Sequence, residues 1–95
     1  MPNARLLSLL DELQSYVHAE ADREQQLGPT WLADQSAAGL ASIREITDAA
    51  MNGRFAYNDD FDIAVLLGQS WVNVHPKIDK LIAAINFEVR SGHET

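Results

Sequence analysis

FDIAVLLGQSWVNVHPKID, from Phe61 to Asp79, is the stretch whose reading decides the fold. Phe61, Val65, Leu66 and Val72 fall on one line at helical spacing, and Ile63, Leu67, Trp71 and Val74 on a second. A half-buried strand would alternate apolar and polar residues with period two, and no run here does so for long enough. The stretch therefore reads as a helix starting at Asn58 or Asp59. It is apolar over more than half its circumference, as a central, buried helix would be. Gly68 in its middle marks a close crossing by a neighbour. Pro76 then interrupts it, because proline disfavours helical geometry at His75 yet fits the first turn of a new helix. Two architectures follow: a fourth helix over 76–91, or one kinked helix from 59 to 91.

The flanking segments are helical as well. After Pro76, Ile78, Leu81, Ile82, Ile85 and Val89 make a core stripe, with Lys77, Asp79, Lys80, Asn86 and Arg90 facing out and Gly92 as the stop. Before it, a segment over about 30–52 keeps the helical period through Leu40, Ile43, Ile46 and Ala50, with Thr30 as its cap. Its SAAGLAS run (36–42) suits the close approach of another helix, and NG at 52–53 ends it with Gly53 in the left-handed conformation. A first segment over about 3–26, capped by Asn3, sets Leu6, Leu10, Leu13, Val17 and Ala21 on one face, widened by Leu7, Leu9 and Tyr16. Asp11, Glu12, Glu20, Asp22 and Glu24 are read as its opposite, outward face, and LGPT at 27–30 stops it. The fold class is all-α: a small antiparallel bundle of four helices, or of three with the last kinked at Pro76. Residues 1–95 form a single domain with short frayed ends.

Composition narrows function. Fourteen acidic residues against seven basic give a net charge of −7. Clustered Lys and Arg, which binding to phosphate backbones or to anionic membrane surfaces requires, are missing. No apolar run approaches the roughly 20 residues of a bilayer span, and residues 1–10 do not read as a signal peptide. The chain has no cysteine, which excludes disulfides, cysteine-based zinc sites and thiol nucleophiles, and suits a reducing, cytoplasmic setting.

The densest polar cluster is NGRFAYNDDFD, Asn52–Asp62. As a helix start, Asn58 or Asp59 supplies the cap, while Asp60 and Asp62 favour the positive end of the helix dipole. As a calcium loop it fails: Ile63 stands where glycine is needed and Gln69 where a bidentate glutamate is needed. As a binding edge it sets Tyr57 and Phe55 beside carboxylates, a composition suited to a cationic partner.

Other constellations are weaker. His18 and Asp22 lie one turn apart and could share a metal, although a solvated acidic face is the simpler reading. Ser70, His75 and Asp79 can be named as a triad, but no glycine-flanked elbow or oxyanion donors accompany them. No phosphate loop is present. The segments match neither a helix-turn-helix DNA reader nor an acyl carrier's serine motif.

The sequence therefore predicts a small acidic, non-catalytic protein-binding module of the inhibitor, immunity-protein or adaptor kind. No enzyme activity, cofactor or metal is expected, and no nucleic-acid or membrane partner. The partner is a protein, one with a basic surface if charge steers the encounter. The residues chosen to meet it are Tyr57, Asp59, Asp60 and Asp62, then Asp11, Glu12 and Glu20 of the first segment, with Trp31 as an aromatic anchor. The alternatives are a homodimer through the broad apolar face of the first segment (Leu6, Leu7, Leu9, Leu10 and Leu13) and a small metal-binding helical protein.

Overall fold

The computed structural model describes residues 4–55 and 60–92. The described residues form five α-helices and one 3-10 turn, with no strand among them: α1 (Ala4–Leu27), α2 (Thr30–Met51), α3 (Ile63–Leu67), α4 (Gln69–Asn73), the 3-10 turn Pro76–Ile78, and α5 (Asp79–Gly92). The chain is an all-α bundle.

Helices α1 and α2 form a long hairpin. Gly28 closes α1 by donating its N–H to the Glu24 carbonyl (3.0 Å), and Pro29 precedes α2. Thr30 is the first residue of α2 rather than its cap, and Pro29, which holds that position, has no side-chain oxygen to offer. The stripe Leu6, Leu10, Leu13, Val17 and Ala21 is buried, and so are Leu40, Ile43 and Ala50 of α2. Leu6, Leu10 and Leu13 are thus spent inside the monomer, while Leu7 and Leu9 are half-buried. At the far end of α2, Gly53 adopts φ 69°, and the Arg54 N–H returns to the Ala49 carbonyl (2.8 Å). Arg54 also pairs with Asp48 at 2.8 Å.

The segment read as one central helix is two short helices. Gly68 adopts φ 91°, a backbone setting that residues with a Cβ rarely take, and it turns the chain between α3 and α4. The break leaves the Leu67 carbonyl without a helical donor, and Gln35 of α2 supplies one (Nε2 to O, 2.8 Å). Gln35 can come so close because Gly68 has no side chain: a Cβ there would lie 2.7 Å from Gln35 Nε2. The small-residue run works as its composition suggests. At Gly39 an added Cβ would meet Leu67 Cδ2 at 3.0 Å, so α2 and α3 cross closely at that point.

Helix α5 fixes the start of α3. Asp62 caps α3 by accepting from the Ala64 N–H (3.0 Å). Asn86, which the helical pattern had put outside, is half-buried and bridges the two elements: its Oδ1 accepts from the Ile63 N–H (2.9 Å) and its Nδ2 donates to Asp62 (3.0 Å). Arg90 Nε donates to the Phe61 carbonyl (2.9 Å). Phe55 meets Phe61 edge-on with ring centroids 5.7 Å apart. Ile78, Ile82, Ile85 and Val89 bury the inner face of α5, and Arg5 pairs with Glu88 at 2.8 Å to tie α1 to α5. Pro76 begins the 3-10 turn that leads into α5, so the chain breaks there and does not merely kink.

Candidate functional site

The core is not wholly apolar. Glu24 (5% exposed), Ser36 and His75 (4% exposed) are buried with Trp71 where α1, α2 and α4 meet. Each faces inward for a reason visible in the spacing, Glu24 and Ser36 from helices and His75 from the position just before the 3-10 turn. Glu24 follows Ala21 by three residues on the α1 stripe, Ser36 precedes Leu40 by four on the α2 stripe, and His75 follows Trp71 by four. Glu20 and Glu24, read from sequence as part of an outward acidic face, are turned inward; Glu20 keeps only a small part of its side chain in solvent.

Bond directions in this cluster are fixed by chemistry. The Trp71 indole can only donate, and it donates to Ser36 Oγ at 2.5 Å. The Ser36 hydroxyl hydrogen is therefore directed at Glu24, to whose Oε1 it donates. His75 Nδ1 lies 2.7 Å from the Trp71 carbonyl oxygen, an acceptor, so Nδ1 carries a hydrogen and donates. The ring then presents Nε2 to two carboxylates, with Glu24 Oε2 at 3.1 Å and Glu20 Oε2 at 3.6 Å. Arg23 donates to the same Glu20 oxygen from the solvent side.

Aromatic rings frame the histidine. Trp71 stacks on it with centroids 3.9 Å apart, and Tyr16 meets it edge-on at 6.2 Å. Burial raises the Tyr16 hydroxyl above its ordinary value, and the charges of Glu20 and Glu24 add to the rise while Arg23 opposes it. A groove of about 350 Å³ reaches the cluster from outside, lined by Arg23, Glu24, Leu27, Leu32, Val74 and His75. Glu20, Glu24 and His75 are the described residues whose ligand atoms converge closely enough to hold a metal, all within 4.8 Å of one another.

The residues singled out from sequence are dispersed. Tyr57 and Asp59 lie outside the described residues, as does Asn58. Asp60 is exposed just before α3, whereas Asp62 is half-buried and engaged as the α3 cap. Asp11 and Glu12 are exposed on α1, and Glu20 belongs to the buried cluster instead. Trp31 stands 48% exposed in the first turn of α2. His18 and Asp22 form an exposed pair at 3.7 Å. Ser70 and Asp79 are exposed while His75 is buried against other partners, so these three do not assemble as a relay.

Three large apolar side chains are exposed near the α1–α2 turn. Leu27 is 84% exposed and Val74 52%, both on the walls of the groove, and Trp31 neighbours the groove residue Leu32 in sequence. No helix among the described residues is long and apolar enough to cross a membrane. No protein-family model, curated protein or solved structure matches the chain.

Proposed function

We propose that this protein is a non-catalytic binding module that acts in the cytoplasm by covering part of a partner protein's surface, as an inhibitor, an antagonist or an adaptor does. The observation that carries this reading is the exposure of Leu27 and Val74 on the walls of one groove, with Trp31 exposed next to the groove residue Leu32 in the chain. Fully burying one large apolar side chain yields roughly 1.5–3 kcal/mol, and aromatic anchors beside a pocket are the usual centres of binding energy. The helices present these side chains on a prefolded frame, so little ordering cost falls on association. Asp34, exposed one turn from Trp31, and the net charge of −7 favour a partner whose apolar contact is bordered by basic residues. The exposed carboxylates of Asp11, Glu12 and Asp60 add to the field that would steer such a partner.

The test compares the wild-type chain with a Leu27→Ser, Trp31→Ala double variant as bait in a native extract. Phe87→Ser, at an exposed apolar residue on α5, is the control. A protein held by wild type and by the control, lost with the double variant and weakened by added salt, supports the reading. Identical capture by all three baits refutes it. Light scattering decides between a foreign partner and a second copy: a doubled mass that the double variant abolishes assigns the patch to self-association.

A further inference from the structure

We propose that Glu20, Glu24 and His75 form a binding site for a divalent transition-metal ion of the zinc class. With Nδ1 donating to the Trp71 carbonyl, a neutral His75 has a bare lone pair at Nε2. That lone pair faces Glu24 Oε2 at 3.1 Å and Glu20 Oε2 at 3.6 Å, which are acceptors too when ionised. Acceptor atoms converge in a buried site only with something positive among them, and Arg23 reaches Glu20 Oε2 alone. A proton between His75 and Glu24 satisfies that contact, and Glu20 Oε2 then keeps Arg23 as its partner; the site without metal is closed in this way. A divalent cation satisfies all three acceptors at once, with Arg23 at the solvent side of Glu20.

The geometry suits such an ion. Ligands about 2.0–2.1 Å from a tetrahedral zinc lie roughly 3.3 Å from one another, and the histidine-to-carboxylate separations here are 3.1 and 3.6 Å. Glu20 and Glu24 are four residues apart on α1, so both carboxylates leave the same face of the helix. His75 and Glu24 are also held from behind. The Trp71 carbonyl orients the imidazole, Ser36 occupies Glu24 Oε1 and leaves Oε2 for the ion, and Arg23 bonds Glu20 Oε2, so that Glu20 would share that oxygen with the ion or turn Oε1 toward it. Such outer partners are what metal-binding histidines and carboxylates ordinarily require. An imidazole beside two carboxylates selects a borderline ion over calcium or magnesium, which favour all-oxygen shells. The groove along Arg23, Leu27, Leu32 and Val74 gives the ion a way in and leaves a fourth position for water.

The experiment titrates tag-free, chelator-treated protein with cobalt(II) and with zinc(II). The expected result is saturable one-to-one binding, with cobalt d–d absorption of tetrahedral character that zinc displaces. Glu20→Gln, at a partly solvated position, should keep the fold and weaken binding by at least about tenfold; Ser36→Ala should weaken it by about 10–100-fold through loss of outer support. His18→Ala, which removes the exposed histidine of α1, should change nothing. His75→Gln should abolish the cobalt spectrum; where that variant fails to fold, Glu20→Gln decides. No saturable binding by folded wild type at millimolar metal overturns the proposal and leaves a proton as the bridging cation. A cobalt spectrum that survives Glu20→Gln unchanged, or disappears in His18→Ala, overturns it as well.

Discussion

Replacing Ser36 with alanine deletes one oxygen atom and strands two buried groups. The Trp71 indole N–H loses its acceptor, and Glu24 Oε1 loses its donor. Trp71 is 1% exposed and Glu24 5%, so solvent cannot replace the missing partner at the indole and does so only poorly at Glu24. An unpartnered buried neutral group costs about 1–3 kcal/mol, and a charged one more. The two together come to roughly 3–5 kcal/mol, a large share of the about 5–15 kcal/mol available to a domain of this kind. At about 4–8 °C per kcal/mol for a chain of this length, Tm should fall by at least about 12 °C. Urea unfolding followed by far-UV circular dichroism measures the loss, and Ser70→Ala, at an exposed serine, should stay within about 0.5 kcal/mol of wild type. A double-mutant cycle with Trp71→Phe sharpens the point: once the indole donor is gone, Ser36→Ala should cost less than it does alone. A loss from Ser36→Ala under about 1 kcal/mol would show that the Trp71–Ser36–Glu24 hydrogen bonds are not formed.

Three further perturbations test other parts of the structure. Gly68→Ala forces a side chain onto φ 91° and into Gln35, whereas Gly53→Ala meets no atom within 4 Å at φ 69°; the first should cost about 1–3 kcal/mol from strain plus the lost Gln35 bond, and clearly more than the second in the same urea assay. Asp62→Ala should cost about 1–2 kcal/mol as a lost cap, and Asp62→Asn, which keeps a side-chain oxygen for the Ala64 N–H, should cost less by thermal melting. The folded state raises the Tyr16 pKa above its ordinary 10.0, so it holds that proton more tightly than the unfolded chain; the stability this contributes is intact below pH 10.0 and is lost as pH climbs through the folded value. Tyr16→Phe should therefore decline less than wild type in urea titrations carried into that alkaline range.

The fold was largely legible because apolar spacing reports burial directly. Leu6, Leu10, Leu13 and Val17 recur every three or four residues and are all buried, as are Ile82, Ile85 and Val89. The break at Gly68 was harder to see. Glycine inside a helical pattern marks either a close crossing or a turn, and only the position of Gln35 decides in favour of the turn. The buried cluster was obscured by a habit of assigning charge to the outside. Glu24 and Ser36 sit where the next core residue of their stripes should be, and a polar residue in such a place was the available signal. Nothing in the spacing, however, could bring together positions 20, 24, 36 and 75 from separate elements. Asn86 was missed for a related reason: its bonds run to the start of α3, 23 and 24 residues away in the chain.

Helices α3 and α4 have five residues each. A peptide that short closes too few turns to overcome the cost of nucleation, so neither can persist away from the α1–α2 hairpin. In hydrogen exchange, residues 63–73 should therefore open before the middle of α1 or α2 does. His75 follows this less stable segment, while Glu20 and Glu24 belong to the hairpin. The acidic half and the imidazole half of the buried cluster are thus held together only while the short helices stay docked, and opening of residues 63–73 should part them.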